Sequence, residues 1–138
     1  MTINAGSNSG SFVTRPLVNA TRFAGTIYVT TTVTFPNGAT NLKAKLFVDG
    51  QAVTWGWANP RFYKSLDKPE TIAPDRAYKV SLEMMPRDFT VLPGRKISLV
   101  IQAYNNRSGE TISLDLANTT LDMPLVPKAN PVAVMKLN

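Results

Sequence analysis

The side chains best suited to chemistry sit close together, in the stretch Val53-Thr54-Trp55-Gly56-Trp57-Ala58-Asn59-Pro60-Arg61-Phe62-Tyr63-Lys64. Trp55, Trp57 and Tyr63 offer flat π faces, and Arg61 and Lys64 set cations among them. Such a set stacks a sugar ring, a nucleobase or a proline ring. The same residues have a second reading. Trp is mostly buried in folded proteins, so Trp55 and Trp57 would instead fill a core, anchor a loop or dock a neighbouring domain. Trp55, Trp57, Asn59, Arg61 and Tyr63 are therefore candidates for ligand binding or domain docking.

The rest of the chemical inventory is sparse. Among 138 residues there is no His and no Cys. That removes thiolate metal sites, disulfides, most zinc chemistry and every His-based triad or general base. No G-x-S-x-G, G-x-x-x-x-G-K or G-x-G-x-x-G motif occurs. Carboxylates are few, and the spacing of Glu83, Asp88, Asp115 and Asp122 picks out no acid–base pair of the kind a glycosidase needs. No catalytic residue, metal ligand or cofactor is assigned. The net charge of +6 comes from cations spread along the chain, which argues against a dedicated nucleic-acid site. No apolar run approaches the roughly 20 residues that span a bilayer. Residues 1–11 are polar and lack the pattern of a signal peptide, so a cytoplasmic location is expected.

Something must position the aromatic stretch, and the pattern around it is that of strands. Arg22 to Phe35 alternates, with Ile27, Val29, Thr31, Val33 and Phe35 on one face and Tyr28, Thr30, Thr32 and Thr34 on the other. Pro36-Asn37-Gly38 is turn chemistry. Leu42, Ala44, Leu46 and Val48 alternate with Lys43 and Lys45, and Asp49-Gly50 closes a hairpin into Ala52–Trp57. In that second strand Val53, Trp55 and Trp57 share a face. Ala58 to Pro74 is a long loop holding three prolines, a length that implies function or packing as a unit. Tyr78, Val80, Leu82 and Met84 form a half-buried strand. Ile97 to Tyr104 is apolar on both faces, as expected of a central strand covered on both sides. Ile112, Leu114 and Leu116, then Leu121, Met123 and Leu125, supply the last two strands, with Pro124 marking an edge or a bulge. About eight strands and no helical period predict an all-β, two-sheet β-sandwich of jelly-roll type, galactose-binding-domain-like, over residues 12–126. A flexible lead-in (1–11) and a C-terminal tail (127–138) flank it.

The order of motifs resembles the C-terminal β-sandwich of the Xaa-Pro dipeptidyl-peptidase and cocaine esterase-like serine hydrolases. The likeness begins with Thr14-Arg15-Pro16-Leu17 and Gly25-Thr26. It continues through Leu42–Asp49, Gly56-Trp57-Ala58-Asn59-Pro60, Ser65-Leu66-Asp67-Lys68-Pro69 and Tyr78–Leu82. It ends with Pro93-Gly94-Arg95-Lys96-Ile97, Leu114-Asp115-Leu116 and Leu125-Val126. No single motif is specific, but their order and spacing are. Arg95 departs from a frequent His, and Asn59 from a common Asp.

In that family the Ser, Asp and His of the triad lie in a separate α/β-hydrolase domain. The resemblance therefore implies a non-catalytic accessory domain, docked on that hydrolase domain and shaping its active-site entrance. The parent activity would be release of Xaa-Pro dipeptides from peptide N-termini. A homo-oligomer stays open, and no membrane or nucleic-acid partner is expected. The rival reading is a stand-alone carbohydrate-binding β-sandwich module, resting on Trp55, Trp57 and Tyr63.

Overall fold

The computed structural model describes residues 9–104, 111–126 and 132–136. It contains ten strands and one turn of 3-10 helix. The strands are β1 (Ser9–Val13), β2 (Thr21–Gly25), β3 (Tyr28–Thr34), β4 (Leu42–Val48), β5 (Gln51–Ala58), β6 (Ala77–Glu83), β7 (Arg87–Val91), β8 (Ile97–Ala103), β9 (Ser113–Val126) and β10 (Val132–Lys136). They form two antiparallel sheets. One has the order β1-β8-β4-β5. The other runs β6-β3-β9-β2-β7, with β10 added beside β9. This is the all-β jelly-roll sandwich expected from the alternating pattern.

The inner faces supply one core. Phe12, Leu42, Leu46, Leu99 and Ile101 come from the first sheet, and Phe23, Val29, Val33, Leu82, Leu121 and Met123 from the second, all essentially inaccessible. The alternation of β3, β4 and β6 maps onto this core as expected, since Val29, Thr31 and Val33, then Leu42, Ala44 and Leu46, then Tyr78, Val80 and Leu82 are buried.

Three expectations are corrected, and β7 and β10, which were not counted, bring the strands from about eight to ten. First, Arg22–Phe35 is two strands that are not neighbours, because β9 lies between β2 and β3. The break falls at Gly25, whose φ of +123° is open to glycine and strained for other residues. Second, the two strands expected between Ile112 and Leu125 are one 14-residue strand, β9. Its register against β3 shifts between Thr30 and Thr32, and the buried set changes from even positions (Ile112, Leu114) to odd ones (Thr119, Leu121, Met123). That switch is what a β-bulge does to alternation. β9 is therefore bulged, but between Asp115 and Thr120 rather than at Pro124, which pairs regularly with Val132, and it is an interior strand rather than an edge. Third, β8 is interior in its sheet, yet only one of its faces is covered: Ser98, Val100 and Gln102 remain half-exposed.

The bulge is held by its own polar groups. The Asp115 carboxylate accepts from the Ala117 amide at 3.1 Å and from Asn118 Nδ2 at 2.6 Å. Thr119 Oγ1 donates to the Asp115 carbonyl at 2.9 Å. Inside, Thr31 and Thr119 join hydroxyl to hydroxyl at 2.8 Å, both buried.

The tail contributes β10, which pairs with Thr120–Pro124 of β9. The expected lead-in is also corrected at its end, since Ser9, Gly10 and Ser11 belong to β1 and pair with β8; residues 1–8, 127–131 and 137–138 and the turn expected at Asn105–Gly109 lie outside the described residues.

Candidate functional site

The aromatic stretch begins on β5, an edge strand of the first sheet. The hairpin that leads into it turns at Asp49 and Gly50, both with positive φ (47° and 83°). The β4–β5 register shifts at Leu46/Phe47, and Val53 is the extra residue. Val53 packs against the core, while Thr54 and Gly56 face inward and Trp55 and Trp57 face outward. So Val53 does not share a face with the tryptophans as expected. The core-filling role for Trp55 and Trp57 is overturned too, since they are 43% and 58% exposed.

The reason is Gly56. At this point β5 crosses from one sheet to the edge of the other, forming a bridge between Gly56 and Met84. A Cβ on Gly56 would overlap the Glu83 carbonyl oxygen and come within 2.9 Å of the Met84 Cα. The seam is bolted by Met85 N–H to the Trp55 carbonyl (3.0 Å) and by Thr54 Oγ1 to the Met85 carbonyl (2.6 Å). With the small side of β5 turned to this seam, the large side must face out.

The outward face has consistent chemistry. Lys43 pairs across from Trp57 and Lys45 from Trp55. Trp57 meets Tyr104 edge-on at 6.4 Å, and Lys43 Nζ lies 5.7 Å from the Tyr104 ring centroid. Half-exposed Val100 lies across from Lys45 on β8, and Val13 is 45% exposed on β1. The outer face of the second sheet differs: Thr30, Thr32, Lys79, Asn118, Thr120 and Asp122 line a polar depression there. The sandwich thus has one aromatic, cation-bearing face and one threonine-rich face.

The loop after β5 separates the other candidates. Asn59 Oδ1 accepts from the Arg61 amide at 3.1 Å and caps the 3-10 turn Pro60–Phe62. Arg61 is exposed, with Nε 3.4 Å from the Glu70 carbonyl oxygen, and its own carbonyl accepts from the Glu70 amide at 2.6 Å. Tyr63 turns inward onto Tyr78, with ring centroids 5.0 Å apart. The Tyr78 hydroxyl in turn accepts from the Ala73 amide. The loop therefore packs down as a unit. Asn59, Arg61 and Tyr63 serve it, and Trp55 and Trp57 alone project together from β5.

A depression of about 610 Å³ lies between this loop and the seam, lined by Trp57, Asn59, Phe62, Tyr63, Leu66 and Glu83 among others. A smaller one, about 290 Å³, lies on the other side of Trp57 and shares Glu83. Glu83, Lys43 and Tyr104 were not singled out from the sequence. Only the Gly56–Met84 bridge brings Glu83 beside Trp57, and nothing local in the sequence signals that contact. Among the described residues no group of His, Cys, Asp or Glu could hold a metal ion, and no helix is long and apolar enough to cross a membrane.

Three of the remaining motifs meet at one place on the sandwich. The Asp49 carboxylate accepts from Arg95 Nη1 at 2.6 Å and from the Lys96 amide at 3.0 Å. These bonds, the Arg95 side chain first, hold its pKa below the ordinary 3.8. Thr14 Oγ1 accepts from the Ile97 amide, Leu17 N–H donates to the Arg95 carbonyl and Gly94 N–H to the Leu17 carbonyl. The stretches Thr14–Leu17, Leu42–Asp49 and Pro93–Ile97, distant in sequence, are thereby tied together. Arg95, where His is frequent, has a structural ion-pair role.

Comparison with known proteins agrees with the fold. A family model described as the X-Pro dipeptidyl-peptidase C-terminal non-catalytic domain matches residues 2–123. A Bacillus anthracis protein provisionally named Xaa-Pro dipeptidyl-peptidase is 29% identical over 111 residues, which is 73% of this chain and 19% of that protein. The chain thus spans about a fifth of the length of this relative. Two solved structures share the fold. A CocE/NonD family hydrolase from Staphylococcus aureus superposes with a TM-score of 0.73 at 13% identity, covering 91% of this chain and 32% of that one. An aminopeptidase from a marine sediment Thaumarchaeota archaeon gives 0.65 at 12% identity, covering 94% and 25%. Matched along nearly its whole length by the family model, the chain belongs to the X-Pro dipeptidyl-peptidase C-terminal non-catalytic domain family.

Proposed function

We propose that this chain is the accessory β-sandwich of an Xaa-Pro dipeptidyl-peptidase-like serine hydrolase. It docks on the α/β-hydrolase domain through the outer face of the first sheet and shapes the entrance to the active site there. The carrying observation is the outward pair Trp55 and Trp57, 43% and 58% exposed beside Lys43 and Lys45. Two neighbouring exposed tryptophans are a large apolar area to leave in water, and such aromatics anchor interfaces. The parent reaction, release of Xaa-Pro dipeptides, follows the names of relatives and would be carried by the hydrolase domain. With no His in its sequence, this chain has no residue for the His role of that triad. None of the relatives named above is a carbohydrate-binding module.

The test is to mix this chain with the hydrolase domain of an Xaa-Pro dipeptidyl-peptidase relative expressed without its own sandwich. Association is followed by tryptophan emission, and activity with an Xaa-Pro p-nitroanilide. The expected result is a complex with blue-shifted emission and an altered KM, both lost in the Trp55→Ala/Trp57→Ala variant. Unchanged association of that variant would overturn the docking face. Hydrolysis by this chain alone would overturn its accessory role.

A further inference from the structure

We infer that the depression between the 59–66 loop and the seam is a binding site for an arginine side chain presented by a polypeptide. Its walls are aromatic: Trp57, Phe62 and Tyr63. Its charge comes from Glu83, which lines both this depression and the smaller one across Trp57. The Gly56–Met84 bridge sets Glu83 and Trp57 side by side on opposite strands of the seam.

Among the described residues the Glu83 carboxylate has no hydrogen bond and no ion pair; the ion pairs here are Arg22–Asp88 and Arg95–Asp49. The cations nearby do not reach it. Arg61 is directed to the Glu70 carbonyl, Lys43 lies over Tyr104, and Lys79 lines the threonine-rich depression. In a chain of net charge +6, a residue with an unpaired carboxylate thus lines the same depression as Trp57, Phe62 and Tyr63.

That combination selects for a cation with an apolar stem. A guanidinium stacks on an indole or phenol ring and forks onto a carboxylate, while its methylene stem covers apolar wall. An anion would meet Glu83 with no cation in the lining to offset it. The rim argues for a polypeptide over a free small cation. Leu66 stands 88% exposed and Trp57 58% exposed on the lining, and residues flanking an arginine would cover both.

The test uses the chain alone, so its failure leaves the docking of a hydrolase domain untouched. Trp55→Phe makes Trp57 the single indole, since the sequence has two tryptophans. The probes are acetyl-Leu-Arg-Leu-amide and the same peptide with citrulline, which keeps shape and loses charge. Saturable quenching of Trp57 by the arginine peptide is expected, with the citrulline peptide roughly tenfold or more weaker. Adding Glu83→Gln should erase the difference between the two peptides. Glu83 is exposed and unbonded, so that change leaves the fold intact. No saturable response to the arginine peptide, equal affinity for citrulline, or undiminished discrimination in the Glu83→Gln background would each overturn the proposal.

Discussion

Gly56 and Met84 meet backbone to backbone where an edge strand of one sheet passes the edge of the other, and no Cβ fits between them. Gly56→Ala is therefore expected to destabilise the chain by at least about 1–3 kcal/mol through overpacking against a backbone that has no rotamer to yield. It should also shift the emission of Trp55 and Trp57, which flank it. Gly38→Ala is the control. Its Cβ meets nothing within 4 Å, and only the φ of +103° opposes it. That change should cost about 1–2 kcal/mol and leave the tryptophan emission alone. Urea unfolding followed by fluorescence reads both effects.

The buried threonine pair gives an asymmetric prediction. Thr119 Oγ1 spends its proton on the Asp115 carbonyl, so Thr31 must be the donor in the 2.8 Å contact between them. Thr31→Val removes a donor and leaves the Thr119 bond in place, at a cost of about 0.5–1.5 kcal/mol. Thr119→Val strands the Thr31 hydroxyl in the core and frees the bulge, and should cost about 1–3 kcal/mol. In Thr31→Val/Thr119→Val the stranded hydroxyl is gone, so the double variant should be more stable than the sum of the single losses implies. Simple additivity would mean the hydroxyls do not share a bond.

Acid should weaken this chain modestly in a defined window, because the carboxylates concerned are exposed. Asp49, Asp88 and Asp115 all have pKa values lowered from 3.8, chiefly by hydrogen bonds from Arg95, Arg22 and Asn118 respectively. A depressed folded-state pKa contributes stability that is complete above the unfolded value. It is lost as pH falls through the lower folded value. Without His, almost nothing else titrates between about pH 5 and 8. The urea midpoint should thus be flat over that range and fall below about pH 4. Asp88→Asn should blunt the fall, and high salt should weaken the exposed Arg22–Asp88 contribution more than the Asp115–Asn118 one.

The sandwich was legible because β3, β4 and β6 alternate cleanly and their turns carry Asn-Gly and Asp-Gly. What was not legible has one physical character, the contact between backbones remote in sequence. Gly25 looks like a pause within a strand, but a Cβ there would sit 3.1 Å from Pro124 Cγ, 99 positions on, and its positive φ separates β2 from β3. Leu116 and Leu121 look like members of two strands, yet a three-residue polar stitch at Asp115, Asn118 and Thr119 carries one strand through a change of parity. The site shows the same limit. The size of Trp55 and Trp57 pointed toward a core, and size is the right guide only when the opposite face of the strand is the polar one. Here the opposite face holds Thr54 and Gly56, and the seam needs both of them.

The orientation of the tryptophans separates docking from core packing in one measurement. If Trp55 and Trp57 face water in the isolated chain, truncating either removes little packed area. Trp55→Ala and Trp57→Ala should then change stability by no more than about 0.5–1 kcal/mol; the larger value allows for the Trp57–Tyr104 edge contact. Phe12→Ala, at a fully buried position of the same sheet, should cost about 3–5 kcal/mol. The wild-type emission should be red-shifted and quenched by acrylamide, and Trp57→Ala should remove more than half of the quenchable signal, because Trp57 is the more exposed of the two. A loss at Trp57 as large as that at Phe12 would place the indole in the core. The outer face of the first sheet would then have no aromatic anchor, and the docking surface would have to be sought elsewhere on the sandwich.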